Sequence, residues 1–283
     1  AAQKLTVDSS GSNGLSGVTA RRNSMGQIIA LYAGDLKGRL WKFEYDAGAA
    51  SGFRIGNALA PLFAATNAAL TTPQPITQPP VLYNHSRGGG PLVVFGTGLL
   101  QTTIDANSTA TQSMYGFWDK ESDTAPHSTF NRSSMVTRAI TSFSGAGGAT
   151  FYDISGDAID WDLKKGWVID LSPVAGLRVV YPPQAVSSKL VLFSTVAPAQ
   201  NVVVCESASG SGVNFIFPVE TATTAGYPLF DTDGNGVFDA SDTRAAGYST
   251  GADGIDAVVR GNTQCTGGTC YTRYSIQNTT GQL

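Results

Sequence analysis

The sequence predicts an all-β protein of sandwich, barrel or propeller type, a propeller of this length holding only part of a wheel. Three observations carry this expectation. Apolar runs of strand length recur about every 10 to 15 residues, with Gly, Pro, Asn and Asp between them. Apolar residues at helical spacing are weak throughout, and Ser134 to Phe143 offers at most one short helical turn. Charged residues make up only 14% of the 283-residue chain while Gly numbers 33, a neutral, polar composition suited to an extracellular surface.

In chain order, residues 1–25 are rich in Ser, Gly and Asn and read as a flexible N-terminal segment, with the propeller region over 26–283. From Gln27, QIIALYAGDLKGRLWKFEY reads as two strands around a turn at Gly34 to Gly38, where Asp35 and Gly38 supply the turn chemistry. Further strands are expected at Phe53 to Ile55, Pro61 to Ala64, Val81 to Asn84, Leu92 to Thr97 and Ser113 to Trp118. The series continues through Gly166 to Asp170, Leu177 to Tyr181, Ala185 to Val196, Asn201 to Cys205, Val213 to Val219 and Cys270 to Ile276. The Pro- and Thr-rich run Thr71 to Pro80 reads as a rigid connector between two β modules, and Glu121 to Asn131 as a polar, irregular span. LYAGDLKGRLWKFE and LVVFGTGLLQ with MYGFWDK share an apolar strand ending in aromatic-Gly and a second strand with an aromatic pair. GWVIDL with LVLFSTVAP is a weaker echo. Roughly four blades of four strands would follow.

A formal net charge of −3 sets nucleic acid aside as a partner, and no apolar run approaches the roughly 18 residues of a membrane-crossing helix. The opening AAQKLTVDSS has no basic start and no apolar block, and Ala1 is not Met, so the chain reads as a processed or excised portion of a longer precursor. Of the three cysteines, Cys265 and Cys270 flank a Gly-Gly turn and are the candidate disulfide of an oxidising compartment. Cys205 either pairs with one of them or stays a buried small apolar side chain.

One stretch carries charged ligands at a spacing that chemistry demands: FDTDGNGVFDASD, Phe230 to Asp242. Counted as a twelve-residue loop, Asp231, Asp233 and Asn235 fall at positions 1, 3 and 5, and Gly236 at the sharp turn of position 6. Val237 offers its carbonyl and an apolar anchor at position 7, Asp239 stands at 9, and Asp242 closes the sphere at 12. An all-oxygen set of this kind suits Ca²⁺, which would relieve the repulsion among the carboxylates. The competing reading is an Asx-rich turn. Neither flank shows helical periodicity, so a structural clip fits better than a regulatory sensor.

Catalytic signals are weak. GTGLLQ from Gly96 lacks the later Gly and Lys of a phosphate loop and reads as a hairpin turn. Asp153, Asp157, Asp160 and Asp162 form a second acidic cluster, as a glycosidase pair only if a cleft separates two of them and otherwise as a solvated loop. His127 has no recognisable Ser or Cys partner, and Trp41, Trp118 and Trp167 sit in strand signals as core candidates.

YAGDLKGRLWKFE, QPITQPPVL, VVFGTGLL, MYGFWD, GWVIDL and LFSTVAP follow one another in the order expected of the C-terminal region of PilY-type proteins, which this chain resembles from about Gly14 to Asp256. The resemblance implies a modified β-propeller with a calcium-binding loop, carried at the pilus tip or outer cell surface after export through the periplasm. It implies a non-enzymatic role in type IV pilus assembly, attachment to host or abiotic surfaces and twitching motility, with minor pilins as partners. It also implies Asp231, Asp233, Asn235, Val237, Asp239 and Asp242 as the Ca²⁺ ligands. Two departures limit it. Arg21 to Gln27 lacks the carboxylates of a second calcium loop, and Arg260-Gly261-Asn262 replaces the Arg-Gly-Asp of integrin recognition. The alternative is an extracellular carbohydrate-binding or carbohydrate-active protein with a dockerin-like calcium loop.

Overall fold

The computed structural model describes residues 4–123, 126–198, 211–251, 255–266 and 269–278, with side chains up to Ser249. Five strands open the chain: β1 (Thr19–Arg22), β2 (Ile28–Gly34), β3 (Arg39–Tyr45), β4 (Phe53–Ile55) and β5 (Phe63–Ala64). Next come β6 (Val81–Asn84), β7 (Pro91–Gly96), the one-turn helix α1 (Thr103–Asn107), β8 (Ser113–Trp118) and β9 (Phe130–Asn131). The middle of the chain gives β10 (Met135–Ser144), β11 (Thr150–Ser155), β12 (Gly166–Asp170), β13 (Arg178–Val179), β14 (Gln184–Ala185) and β15 (Leu190–Ala197). Last are β16 (Ser211–Pro218), β17 (Gly247–Gly251), β18 (Ile255–Thr266) and β19 (Thr269–Asn278). The all-β expectation holds.

These strands form a six-stranded sheet in the order β1-β2-β3-β5-β9 with β4 on β3, an eleven-stranded sheet from β13 to β6, and the hairpin β18-β19. The large sheet is two blade-like halves sharing β10. Met135 to Arg138 run parallel to β12, which continues through β8 and β7 to β6, while Ala139 to Ser144 run antiparallel to β11. Separate four-stranded blades are therefore not what the described residues form, because one long bent strand serves both halves.

The half of the large sheet containing β7 and β8 is buried on both faces, which explains the unbroken apolar runs of these strands. On one face Leu92, Val94, Met114, Trp118, Trp167 and Ile169 pack with Phe193, Phe215 and Phe217 of the other half. On the opposite face Val93, Phe95, Tyr115, Phe117 and Val168 pack with Tyr32, Leu40, Phe63 and Ile76. Neighbouring side chains approach the backbone closely at glycines. A Cβ on Gly34 would sit 2.1 Å from Ile76 Cγ2, one on Gly96 2.5 Å from Val179, and one on Gly116 2.3 Å from the Trp167 indole.

Buried polar links tie the first sheet to the second. The Tyr32 hydroxyl donates to Asp119 Oδ2 at 2.6 Å, and Lys42 Nζ lies 2.9 Å from the same atom. Burial first, and then the Asp119 carboxylate, raise the Tyr32 pKa far above the ordinary phenol range. A second link centres on Asp170, which receives Arg132 through both guanidinium nitrogens at 3.0 and 2.8 Å and the Ser113 hydroxyl at 2.7 Å. Gln74 donates to Ser113 Oγ at 2.8 Å and accepts from the Tyr115 hydroxyl at 2.6 Å, and burial pushes that hydroxyl up to about 12. The Thr71 to Pro80 run does connect the sheets, but through Gln74 and the fully buried Ile76 it is also part of what holds them together.

Several expectations are corrected. The described part of the N-terminal segment, residues 4–25, is built into the fold: Leu5 and Val7 cover Trp41 and Phe43, Lys37 Nζ donates to Asp8 at 2.9 Å, and β1 pairs with β2. The cause is that the β2–β3 hairpin carries Leu31, Trp41 and Phe43 on its outer face, which needs cover. Hydrogen bonds from Ser10 and Lys37 hold the Asp8 carboxyl well below its usual range. Ser134 to Phe143 is not a helical turn but most of β10, where Val136, Thr137, Ile140 and Thr141 favour the extended chain. Asp153 stands in β11, not in a loop, and β17 and β18 went unexpected. Asn201 to Cys205 lies outside the described residues, Cys205 with it. Cys265 and Cys270 are cross-strand partners in the β18–β19 register, and their side chains lie outside the description.

The glycine contacts give a direct test. Gly34→Ala is expected to destabilise the protein by about 1–3 kcal/mol in chemical denaturation, because Ile76 must move. Gly226→Ala, with nothing within 4 Å of the added carbon, is expected to change stability by less than about 0.5 kcal/mol.

Candidate metal centre

Phe230 to Asp242 connects strand β16 to strand β17, so the loop is framed by a sheet and not by helices. Its first residue is anchored by rings: Phe230 lies 6.0 Å from Phe151 and 6.3 Å from Tyr248. Thr232 then ties the loop to the β10–β11 turn, its carbonyl accepting from Ala146 N at 2.9 Å.

Asp242 organises the interior. Its Oδ1 accepts from Thr232 N at 2.7 Å and its Oδ2 from Asp239 N at 3.0 Å, and the residue is buried. Asp231 draws the turn in by accepting from Gly234 N and Gly236 N, both at 2.8 Å. Gly234 and Gly236 have φ of 75° and 81°, the left-handed conformation in which glycine carries no penalty. Asp233 accepts from Asn235 N at 3.1 Å and Asn235 Nδ2 at 2.9 Å. Ser241 Oγ lies 2.7 Å from both Asp233 Oδ2 and Asp239 Oδ1. The Ser241 hydroxyl, followed by backbone amides, holds both carboxyls below the usual carboxylate range.

The outcome is that Asp231, Asp233 and Asp242 each present a carboxylate oxygen within 4.8 Å of the others. Among the described residues no Lys or Arg forms an ion pair with them, so only neutral donors, backbone amides with Ser241, Thr232 and Asn235, offset their charge. A hard-oxygen trio of this kind fits a Ca²⁺ ion, which would supply the missing positive charge. Of the six residues picked from the sequence, the structure brings these three together. Asn235 is turned onto Asp233 and Val237 N, and Asp239 onto Ser241. Val237 is no core anchor: it is 54% exposed, and Phe230 and Thr232 hold the loop instead. Thr232 and Ser241 were missed, although a hydroxyl beside alternating Asp residues is a recognisable capping signal.

The remaining candidates are not brought together. Asp162 pairs with Arg87 at 2.8 Å, Asp160 accepts from Asp162 N, and Asp157 is exposed, which leaves no acid pair facing across a cleft. His127 lies against Phe130 with centroids 4.7 Å apart. Asn23 holds the turn at Arg21 to Gln27 by accepting from Met25 N and Gln27 N. Trp41, Trp118 and Trp167 are core residues, as expected.

Three comparisons bear on identity. Residues 2–138 match the family model described as the PilY1 beta-propeller domain. The chain is 26% identical over 263 residues to the type IV pilus biogenesis factor PilY1 of Pseudomonas aeruginosa strain PAO1, covering 81% of this chain and 22% of that protein. The counterpart from strain UCBPP-PA14 is 27% identical, covering 84% and 24%. A PilY1 homolog of Xylella fastidiosa is 28% identical over 241 residues, covering 83% and 18%. The chain thus spans less than a quarter of the length of these relatives. In structure it is similar to the Pseudomonas aeruginosa PilY1 C-terminal domain, with a TM-score of 0.72 and 25% identity over 94% of this chain and 61% of that one. The metal loop lies beyond the family-model match.

Two substitutions separate the loop's roles. Asp242→Ala is expected to cost about 1–3 kcal/mol even in chelator, since it strands the buried amides of Thr232 and Asp239. Asp233→Ala, at an exposed position, is expected to leave the melting temperature in chelator nearly unchanged and to abolish the rise that Ca²⁺ produces. Calorimetric titration of Ca²⁺ with parallel thermal melts checks both, and equal behaviour of the two variants in chelator would sink this division.

Proposed function

We propose, on the premise that this chain belongs to the PilY1-type β-propeller proteins, that it is the non-enzymatic propeller region of a type IV pilus biogenesis factor with a calcium-stabilised loop. The observation that supports this reading is that the chain's sequence is similar to PilY1 and its fold to the PilY1 C-terminal domain.

Its finer parts follow from chemistry. Ca²⁺ at Asp231, Asp233 and Asp242, helped by Asn235, the Val237 carbonyl and Asp239, would neutralise the loop and fix the β16–β17 connection. A clip of this kind stabilises a fold outside the cell by mass action, without cellular upkeep. Placement at the pilus tip or outer cell surface, binding of a minor pilin by strand addition to a free sheet edge, attachment and twitching motility complete the proposal. No helix among the described residues is long and apolar enough to cross a membrane. The dockerin-like alternative needs paired helices around the loop, and β16 and β17 stand there instead.

The test is genetic. In the bacterium that encodes this chain, in-frame removal of the propeller region from the full-length protein is expected to abolish surface pili, measured as pilin sheared from cells. Asp233→Ala is expected to change surface pilin and the twitching zone several-fold. Wild-type piliation after removal of the region would overturn the pilus reading, whereas unchanged piliation in Asp233→Ala alone would overturn only the role of the metal.

A further inference from the structure

At the end of β11 the surface opens into a recess of about 300 Å³, lined by Arg138, Asp157, Ile159, Trp161, Glu220 and Thr223. Its size is at the lower end of the range for small-ligand sites. Trp161 is half-buried and set in place by a stack beneath it. His85 lies flat on Trp118 at 3.9 Å, and Trp161 meets His85 edge-on at 4.4 Å and Trp118 at 5.8 Å. An aromatic wall held from behind loses little freedom when a ligand packs on it.

Arg138 is the second observation. It is 3% exposed, its terminal nitrogens donate to the carbonyls of Asp157 and Thr221, and its Nε has no partner among the described residues. No carboxylate makes an ion pair with it among the described residues. The guanidinium is thus a buried positive charge at the floor of the recess, held there by main-chain carbonyls. Facing it are acceptors in turn. The exposed Asp157 carboxylate takes no hydrogen bond from the described residues, and Glu220 uses only Oε1, on Ser86 N.

These charges decide the ligand class. Asp157 and Glu220 disfavour an anion, and the Arg138 guanidinium beneath them offsets one of their two charges, so a cation gains little. A neutral molecule with an apolar face for Trp161 and a rim of hydroxyls that both donate and accept meets every group present. A sugar ring has that form. A neighbouring recess of about 390 Å³ shares Gly156 and Thr223 and adds Asp153, Thr224 and Arg244, which gives room for a second ring. We propose that the Trp161 recess is a binding subsite for a neutral oligosaccharide, with Trp161 as the stacking face, Asp157 and Glu220 as the polar rim and Arg138 as the buried charge beneath them. This assignment uses neither the metal loop nor the pilus reading, and it is one of binding, not hydrolysis.

The probes are tetrasaccharides of β-1,4-linked glucose, β-1,4-linked N-acetylglucosamine and α-1,4-linked glucose, with tetragalacturonate as the anionic comparison. Each is titrated into the full 283-residue chain, followed by tryptophan fluorescence and calorimetry. At least one neutral probe is expected to saturate, with tetragalacturonate at least about tenfold weaker. Trp161→Ala is expected to abolish binding and Trp161→Phe to retain it within roughly threefold. Asp157→Asn, at an exposed position that cannot disturb the core, is expected to weaken binding about tenfold. Saturation by no neutral probe, preference for the anionic one, or wild-type affinity in Asp157→Asn would each overturn the assignment.

Discussion

The constraint on which the structure depends is that strands β7, β8 and β12 are covered on both faces. A sheet buried on one side can present polar residues to water on the other, and its sequence alternates accordingly. Here neither side meets water, so Val93 and Phe95 serve one core while Leu92 and Val94 serve the other. Everything else is arranged to supply those two covers. The β2–β3 hairpin and the Ile76 connector close one face, and β15 and β16 close the opposite one. The absence of side chains at Gly34 and Gly96 follows from the same demand, since each lies against a residue of the covering layer, whereas Gly116 makes room for the indole of Trp167, its cross-strand partner.

Layers that slide are of no use as a scaffold, and apolar contact alone is non-directional. The buried polar links give the packing its register. The bidentate Arg132–Asp170 pair, with Ser113, Gln74 and Tyr115 around it, has only one geometry in which every member is satisfied. Arg178 does similar service with backbone partners, donating to the carbonyls of Gly176, Leu99, Asp105 and Ser108 and so fixing the segment that carries α1. A charge held by carbonyls is costly to bury, and it persists because each of its three nitrogens donates to a carbonyl.

Strands with strong apolar runs were legible in the sequence: β6, β8 and β12 begin and end where composition indicates. β10 was not, because a strand shared by two halves of a sheet shows neither steady alternation nor a continuous apolar run, and its outer residues are exposed. The N-terminal segment was misread for a related reason. Few of its residues are apolar, yet Leu5, Val7 and Asp8 suffice to fix it, since their partners on β3 are already in place. In the metal loop, spacing showed which carboxylates converge but not what holds them. Position 7 suggested Val237 as the anchor, whereas the aromatic pair Phe151 and Tyr248 selects Phe230, a contact visible only once β11 and β17 are neighbours.

That neighbouring relation also sets what a metal ion would do at this place. β17 is held between β16 and β11, and the loop is the covalent link between β16 and β17. Its Thr232 carbonyl is bonded to the β10–β11 turn as well. The loop therefore belongs to one strand connection of the sheet and is bonded to a second. Carboxylates that repel one another would loosen both together, and a cation that draws them in would tighten both together. A divalent ion at this position would act on the half-sheet as a whole, beyond the few ligand bonds it would make.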